Sequence, residues 1–392
     1  MRNRPDPRNE PLALAPRDVP VSPFDVRREI ERFLPEVPIE QASTPPSSWY
    51  TWPAFFELEK RTVFRRSWQF ACPLDQLARP GDYVRVDFLG ESYLVLRDAS
   101  GTLRGMHNVC RHHAALLLQG EGRVERITCP YHGWTYELDG RLCSAPHMGA
   151  LRDFDRDTFR LPPVAVEAWG PLVFLHPGTP ARSLTSELSE LARRLADFGM
   201  DGLRHGARRR YPMACNWKVF VDNYLDGGYH IAHLHQGLAS QLDLLAYRTE
   251  LFEHFNLQSA PADPAASFRG LDFHERIGKG ALYAWIHPNL MLNRYGPILD
   301  TNWVVPLAHD RCEVVFDYWF PADLGQDAER FVQQSLAASD AVQAEDVWIS
   351  ESVQRGLSSS SYDQGRYAAS EIGMRQFHRL LQRDLCAAGG AD

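Results

Sequence analysis

Between residues 70 and 165, apolar and polar residues alternate in short runs such as DYVRVDF and ESYLVLR, broken by Gly and by the turn DASG. That period of two predicts antiparallel strands, and 70–165 reads as a small β domain. Before it the pattern is helical. A first helix runs from about residue 23, capped by Ser22 or Asp25 and stopped by Pro35. TPPSSWYT (44–51) reads as a rigid connector, and 53–68 as a helix with Pro53 in its first turn. After 166 the texture is mixed. WGPLVFLHP predicts a strand, 185–199 a helix ending at Gly199, 281–321 several strands, and 327–357 one long helix. Strands flanked by helices imply an α+β fold. The expected organisation is an N-terminal extension (1–44), a β domain with a leading helix (45–165), and a helix-flanked antiparallel domain (166–392).

Composition changes this picture little. Apolar content of 44% and charge of 23% are those of a globular protein, and 392 residues exceed one ordinary core. The net charge of −8 is spread along the chain, which argues against a nucleic-acid partner. No apolar run is long enough to span a membrane, and the Pro- and Arg-rich first twenty residues lack a signal peptide's apolar core, so a cytoplasmic location is expected. Seven cysteines, an odd number in a long chain, suit a metal site better than a disulfide framework.

Candidate chemistry concentrates in two places. The first is Cys110-x-His112 and Cys129-x-x-His132, with Pro130 and Gly133 suited to a tight turn. Zinc could use the same four ligands, but zinc fingers pair Cys with Cys and His with His. The interleaved order suits a two-iron cluster, with two cysteines on one iron and two histidines on the other. His113 and Cys143 lie nearby and read as packed side chains.

The second place is 216–238, where Asp222, Asp226, His230, His233 and His235 crowd together. Non-heme iron that activates O2 takes two His and one carboxylate on one face. On a regular helix His230 and His233 share a face, whereas His230 and His235 diverge by about 140°. In the late helix, Val342, Ile349, Val353 and Leu357 form an apolar stripe that includes Asp346, and a carboxylate there should be paired or metal-bound. Glu345 and Glu351 read as surface or supporting groups.

At this point the sequence resembles the Rieske non-heme iron oxygenases, the ring-hydroxylating alpha-subunit family. CPYHGW and NWKVFVDNYLDGGYH carry the likeness, and TPPSSWYT, GLAS, RYGP and EDVWISESVQRGL place it nearest the choline-monooxygenase-like members. The resemblance implies a [2Fe–2S] cluster on Cys110, His112, Cys129 and His132, and a mononuclear iron on His230, His235 and Asp346, with His233 the alternative that geometry favours. It implies that Asp226, or failing it Asp222, bridges the two centres across a subunit contact in a homotrimer, and that Asn223 lies beside the iron. The family usually has that carboxylate three residues before the first iron His, where this chain has Gly227. A separate reductase or ferredoxin would deliver electrons from NAD(P)H, since the chain has neither a GxGxxG nor plant-type ferredoxin cysteine spacing. The expected reaction is hydroxylation or N-demethylation of a small choline- or betaine-like ammonium compound. Tyr283, Trp285, Tyr295 and Trp303 are candidates to cage the cation. Arene hydroxylation, a purely electron-transferring Rieske protein, and a zinc-stabilised binding module are the alternatives.

Overall fold

The computed structural model describes residues 23–387 except 150, 236–238, 241, 264–276, 279 and 326. Residues 1–22, with the expected Ser22 cap, lie outside the described residues.

The described residues begin with three helices, α1 (Pro23–Glu31), α2 (Ser48–Thr51) and α3 (Pro53–Thr62). The expected rigid connector therefore contains a helical turn. The extension beyond residue 23 is part of the core: Val26, Ile30 and Phe33 are buried, and Ser43 bridges to Arg366.

Next come β1 (Gln69–Pro73), β2 (Asp82–Phe88), β3 (Glu91–Arg97), β4 (Leu103–His107) and β5 (Glu121–Arg123). The short strands β6 (Ile127–Thr128), β7 (Thr135–Tyr136) and β8 (Leu142–Ser144) follow, then β9 (Pro163–Trp169) and β10 (Leu172–His176). The first sheet has the order β1-β10-β9-β4-β3-β2-β5, and β6-β7-β8 form a separate small sheet. The expected boundary at 165/166 falls inside β9. The tight turn at Gly170 (φ +55°) folds β10 back onto β9, so this sheet continues to His176.

Short helices α4 (Leu184–Glu187) and α5 (Ser189–Leu195) precede Gly199, which ends the segment at φ +64°. β11 (Leu203–Met213), α6 (Trp217–Tyr224) and α7 (Ile231–Leu234) lead to β12 (Arg248–Leu251) and β13 (Phe255–Pro261). The predicted strand region is β14 (Gly280–Ile286), β15 (Leu290–Tyr295), β16 (Ile298–Ala308) and β17 (Arg311–Pro321), followed by the long helix α8 (Ala328–Leu357) and by α9 (Ile372–Cys386). The second sheet is antiparallel throughout, β11-β17-β16-β15-β14-β13-β12. The predicted α+β class is the observed one.

The two sheets meet through aromatic rings. Trp303 on the rear of β16 stacks on Phe88 of β2, with centroids 5.7 Å apart, and packs edge-on against Phe70 of β1. On the front face, α6 and α8 pack together over β16, β17 and β11. A fully buried ion pair ties the leading helices to this layer: Lys218 Nζ lies 2.5 Å from Glu59 Oε1, and Trp217 Nε1 donates to Glu59 Oε2. Burial pushes Glu59 up and Lys218 down, against their mutual attraction. Removing one partner would strand a buried charge.

Candidate metal centres and the cavity between helix and sheet

The hairpin of β6 and β7 carries Cys129 to Trp134 as its loop. Gly133 N–H closes the turn onto Cys129 O at 3.1 Å, and φ of +73° at Gly133 makes glycine the natural residue there. A matching loop closes from Cys110, whose N–H reaches Ala115 O while Ala114 N–H returns to Cys110 O. The two loops face each other. His112 and His132 have ring centroids 4.8 Å apart, Trp134 stacks flat on His112, and Tyr136 Oη lies 3.4 Å from Cys110 Sγ.

Both thiols are buried, whereas His132 is exposed. His112 Nδ1 is buried without any hydrogen-bond partner, as suits a ligating nitrogen. Burial holds the His112 imidazole pKa below its ordinary value, helped by His113 and His132, which favours the neutral ring that can ligate. The four predicted residues therefore fit a cluster with a buried thiolate side and an exposed imidazole edge. His113 is exposed against His112, and Cys143 donates to Thr135 O outside the set.

The second group is His230, His235 and Asp346, whose ligating atoms all lie within 4.8 Å of one another. Helical periodicity fails here for a simple reason. α7 is a single turn, with His230 before it and His235 after it at φ −105°, ψ 63°. The chain leaves the helix at His235 and swings its ring back, 4.9 Å from that of His230. His233 is exposed on α7 and outside the group.

Supporting hydrogen bonds fix both imidazoles. Asp226 Oδ2 pairs with His230 Nδ1 at 2.7 Å, and Glu345 Oε2 with His235 Nδ1 at 2.7 Å. Each ring is thus left with Nε2 for a metal, the arrangement in which a carboxylate orients a ligating histidine. In the structure His235 Nε2 lies 3.0 Å from Asp346 Oδ1, which also accepts from Asn223 Nδ2 at 2.8 Å. Burial would lower the His235 imidazole, but Asp346 and Glu345 outweigh it and raise it. Three close donors with paired outer nitrogens fit a mononuclear iron of the two-His, one-carboxylate kind.

Asp226 also accepts from the N–H groups of Tyr229 and His230, so it caps the turn that presents the first histidine. A side chain at residue 227 would be strained. Gly227 has φ +73°, and a Cβ there would sit 2.4 Å from Ser370 O. The carboxylate stands one residue earlier. Asp222 is otherwise engaged, accepting from Tyr50 Oη at 2.7 Å and pairing with His378.

Asp346 is buried as expected, but the stripe around it is corrected. α8 turns Gln343, Asp346, Ser350 and Gln354 inward, and Val353 is 44% exposed. The apolar residues lie about one position round the helix: Ile349, Val353 and Leu357 line a second cavity with Asp226, and Val342 lines the cavity beside the metal group.

Beside the metal group, a cavity of about 150 Å³ opens between α6, α8 and the front of the second sheet. Tyr283 and Tyr295 line it as expected, joined by Tyr224 and Tyr247. Tyr224 and Tyr283 meet edge to face, with centroids 6.4 Å apart at 88°. Trp285 and Trp303 do not reach it. Trp285 shares the face of Tyr283 but lies one pair further along, roofed by Phe377 of α9, with its Nε1 donating to Pro288 O. Trp303 points to the rear face. The sequence missed Tyr224 and Tyr247; of the two readings it left for Glu345, surface or supporting group, the contact to His235 is the supporting one.

Comparison with known proteins agrees with this geometry. Residues 67–155 match the Rieske [2Fe-2S] domain, and 200–386 match the ring hydroxylating alpha subunit catalytic domain. The chain is 44% identical to the chloroplastic choline monooxygenase of Arabidopsis thaliana over 372 residues, 92% of this chain and 87% of that protein. It is 32% identical to the carnitine monooxygenase oxygenase subunit of Escherichia coli, covering 87% and 94%. A crystal structure of a quaternary ammonium Rieske monooxygenase with L-carnitine superposes with a TM-score of 0.77 at 29% identity, over 88% and 96% of the two chains. No helix among the described residues is long and apolar enough to cross a membrane. Two facing Cys–His loops, a separate two-His, one-carboxylate group and relatives matched over nearly the whole chain lead to one conclusion: this chain belongs to the Rieske non-heme iron oxygenases, oxidoreductases with a [2Fe–2S] domain and a mononuclear-iron catalytic domain.

Proposed function

We propose that this chain is the oxygenase component that hydroxylates a small quaternary ammonium alcohol of the choline type. The observation that carries the reading is the tyrosine-walled cavity directly beside His230, His235 and Asp346. A quaternary ammonium has no N–H to donate, so aromatic faces are what can hold it, at roughly 0.5–2 kcal/mol per good contact. Burial pushes the Tyr224 and Tyr247 phenols well up, so the cage stays neutral. Asp300 adds a carboxylate to the same wall, accepting from Asn293 and Tyr295, which favours a cation over an anion. At about 150 Å³ the cavity is on the scale of a small organic molecule.

In this reading Cys110, His112, Cys129 and His132 hold the cluster, and His230, His235 and Asp346 hold the iron. The iron, when bound, supplies O2 activation. The chain's own residues do the rest. Asp226 and Glu345 hold the two imidazoles in the ligating tautomer, Asn223 steadies the Asp346 carboxylate, and the tyrosines place the cation. Arene hydroxylation is disfavoured by the Asp300 wall. The test is NAD(P)H-coupled oxygen uptake with a surrogate reductase. Choline should stimulate uptake and yield betaine aldehyde, whereas uptake with an arene and with no ammonium compound would overturn the reading.

The proposal extends to a homotrimer served by a separate reductase, and to a cytoplasmic location, although the plant relatives are chloroplastic proteins. One related crystal structure is described as revealing inter-subunit electron transfer. Here the exposed His132 edge, and Asp226 lining a second cavity beside Ile349 and Val353, suit such a contact. Asp226→Asn should then slow oxidation of the reduced cluster while both metals stay bound. An unchanged rate would remove Asp226 from the path.

A further inference from the structure

Among the described residues lining the cavity, one side-chain amide has a buried donor nitrogen without a partner. Five side-chain amides line it among the described residues: Asn223, Gln258, Asn293, Asn302 and Gln343. Four are committed. Asn223 donates to Asp346, Gln258 donates to Tyr224 O and accepts from Tyr247, and Asn293 and Asn302 both donate to Asp300. Gln343 is different. It is 1% exposed, and its Nε2 is buried with no hydrogen-bond partner. The nearby Ser339 hydroxyl is already taken by Tyr318 Oη at 2.6 Å. A buried donor without an acceptor is costly and calls for an explanation.

We infer that Gln343 is the donor that receives the substrate's hydroxyl oxygen, and that it thereby directs oxidation to the carbinol carbon rather than to an N-methyl group. The inference rests on the ammonium-alcohol reading and deepens it. A choline-type molecule has two unlike ends. The trimethylammonium end offers no acceptor and belongs against the tyrosines of the sheet. The hydroxyl end needs a polar partner, and the uncommitted one is on α8. Gln343 stands three residues before Asp346, so the two side chains share a helix face as near neighbours. An oxygen held by Gln343 brings its own carbon to the metal group and leaves the methyl groups on the far side.

The outcome is chemically distinct. Attack at the carbinol carbon replaces C–H by C–OH with one atom of O2. The other atom leaves as water, using two electrons from the reductase and two protons. The gem-diol then loses water to give betaine aldehyde. Attack on an N-methyl carbon consumes the same reagents but gives a carbinolamine, which breaks its C–N bond to release formaldehyde and dimethylaminoethanol.

The test compares choline with ethyltrimethylammonium, the same cation without the hydroxyl, on wild type and Gln343→Leu holoenzyme, with iron and cluster content checked. Wild type should prefer choline. Gln343→Leu should raise KM for choline roughly tenfold, leave ethyltrimethylammonium within about twofold, and increase the formaldehyde fraction. Equal losses on both cations would overturn the inference, because a role toward O2 or in folding does not depend on the hydroxyl. An unchanged choline KM would overturn it too. If Gln343→Leu fails to fold, wild type alone decides: equal binding of the two cations refutes the contact. Failure of wild type to turn over either cation would instead overturn the ammonium reading, and this inference with it.

Discussion

Replacing Glu345 by alanine isolates the support beneath the second histidine. Glu345 is not among the residues lining the cavity; it accepts from His235 Nδ1 at 2.7 Å and so fixes the ring with Nε2 toward Asp346. Losing a carboxylate behind a ligating histidine costs about 10- to 100-fold in metal affinity. The Glu345 side chain is 48% exposed, so water can partly replace it, and the lower end of that range applies. The expected loss is about tenfold, or about 1.4 kcal/mol. Alanine is the best helix former, so α8 should not weaken. The assay is ferrous ion titration of the iron-stripped protein, with cluster absorbance as a folding control. Wild-type iron affinity in Glu345→Ala would refute the claim that this bond orients His235. So would loss of the cluster together with the iron, since that would indicate general disruption.

The two metal sites should separate by mutation. His235→Ala and Asp346→Ala should retain the visible cluster spectrum and lose mononuclear iron, with His233→Ala losing neither; iron retained in His235→Ala but lost in His233→Ala would reverse the assignment. Cys110→Ser or His132→Ala should abolish the cluster absorption and its reduced-state paramagnetic signal. Gly227→Ala combines a positive φ with a Cβ 2.4 Å from Ser370 O, so it should destabilise the protein by roughly 1–3 kcal/mol in thermal or denaturant unfolding. A neutral effect there would mean that the turn before His230 relaxes freely.

What the sequence revealed depended on how local each signal was. Cys110, His112, Cys129 and His132 sit on two short loops, so their spacing already describes the site. His235 could not be reached from periodicity, because a one-turn α7 has no lasting face and the ring's direction is set by the φ and ψ of residue 235. The resemblance supplied what the spacing did not. Asp346 was found through an apolar stripe whose phase was wrong. The inward face of α8 is polar, Gln343, Ser350 and Gln354 included, because it abuts the metal group and the start of α6, where Asn216 N–H donates to Gln354, rather than a hydrocarbon core. The tyrosines and tryptophans of the sheet look alike in sequence. Only the packing of β16 against the first sheet sends Trp303 backward, and only α9, which was not anticipated, covers Trp285. Gly227 looked like a departure from the family; the Ser370 carbonyl lies where a Cβ would stand, so a side chain at residue 227 would be strained.

The most direct test of the account is a single turnover without any reductase. Protein loaded with iron and cluster is reduced, freed of excess reductant, and mixed with oxygenated buffer with and without choline. The account predicts that choline accelerates oxidation of the cluster and that betaine aldehyde appears, with His235→Ala giving neither despite a reduced cluster. Cluster oxidation at the same rate with and without choline, with no aldehyde formed, would contradict it.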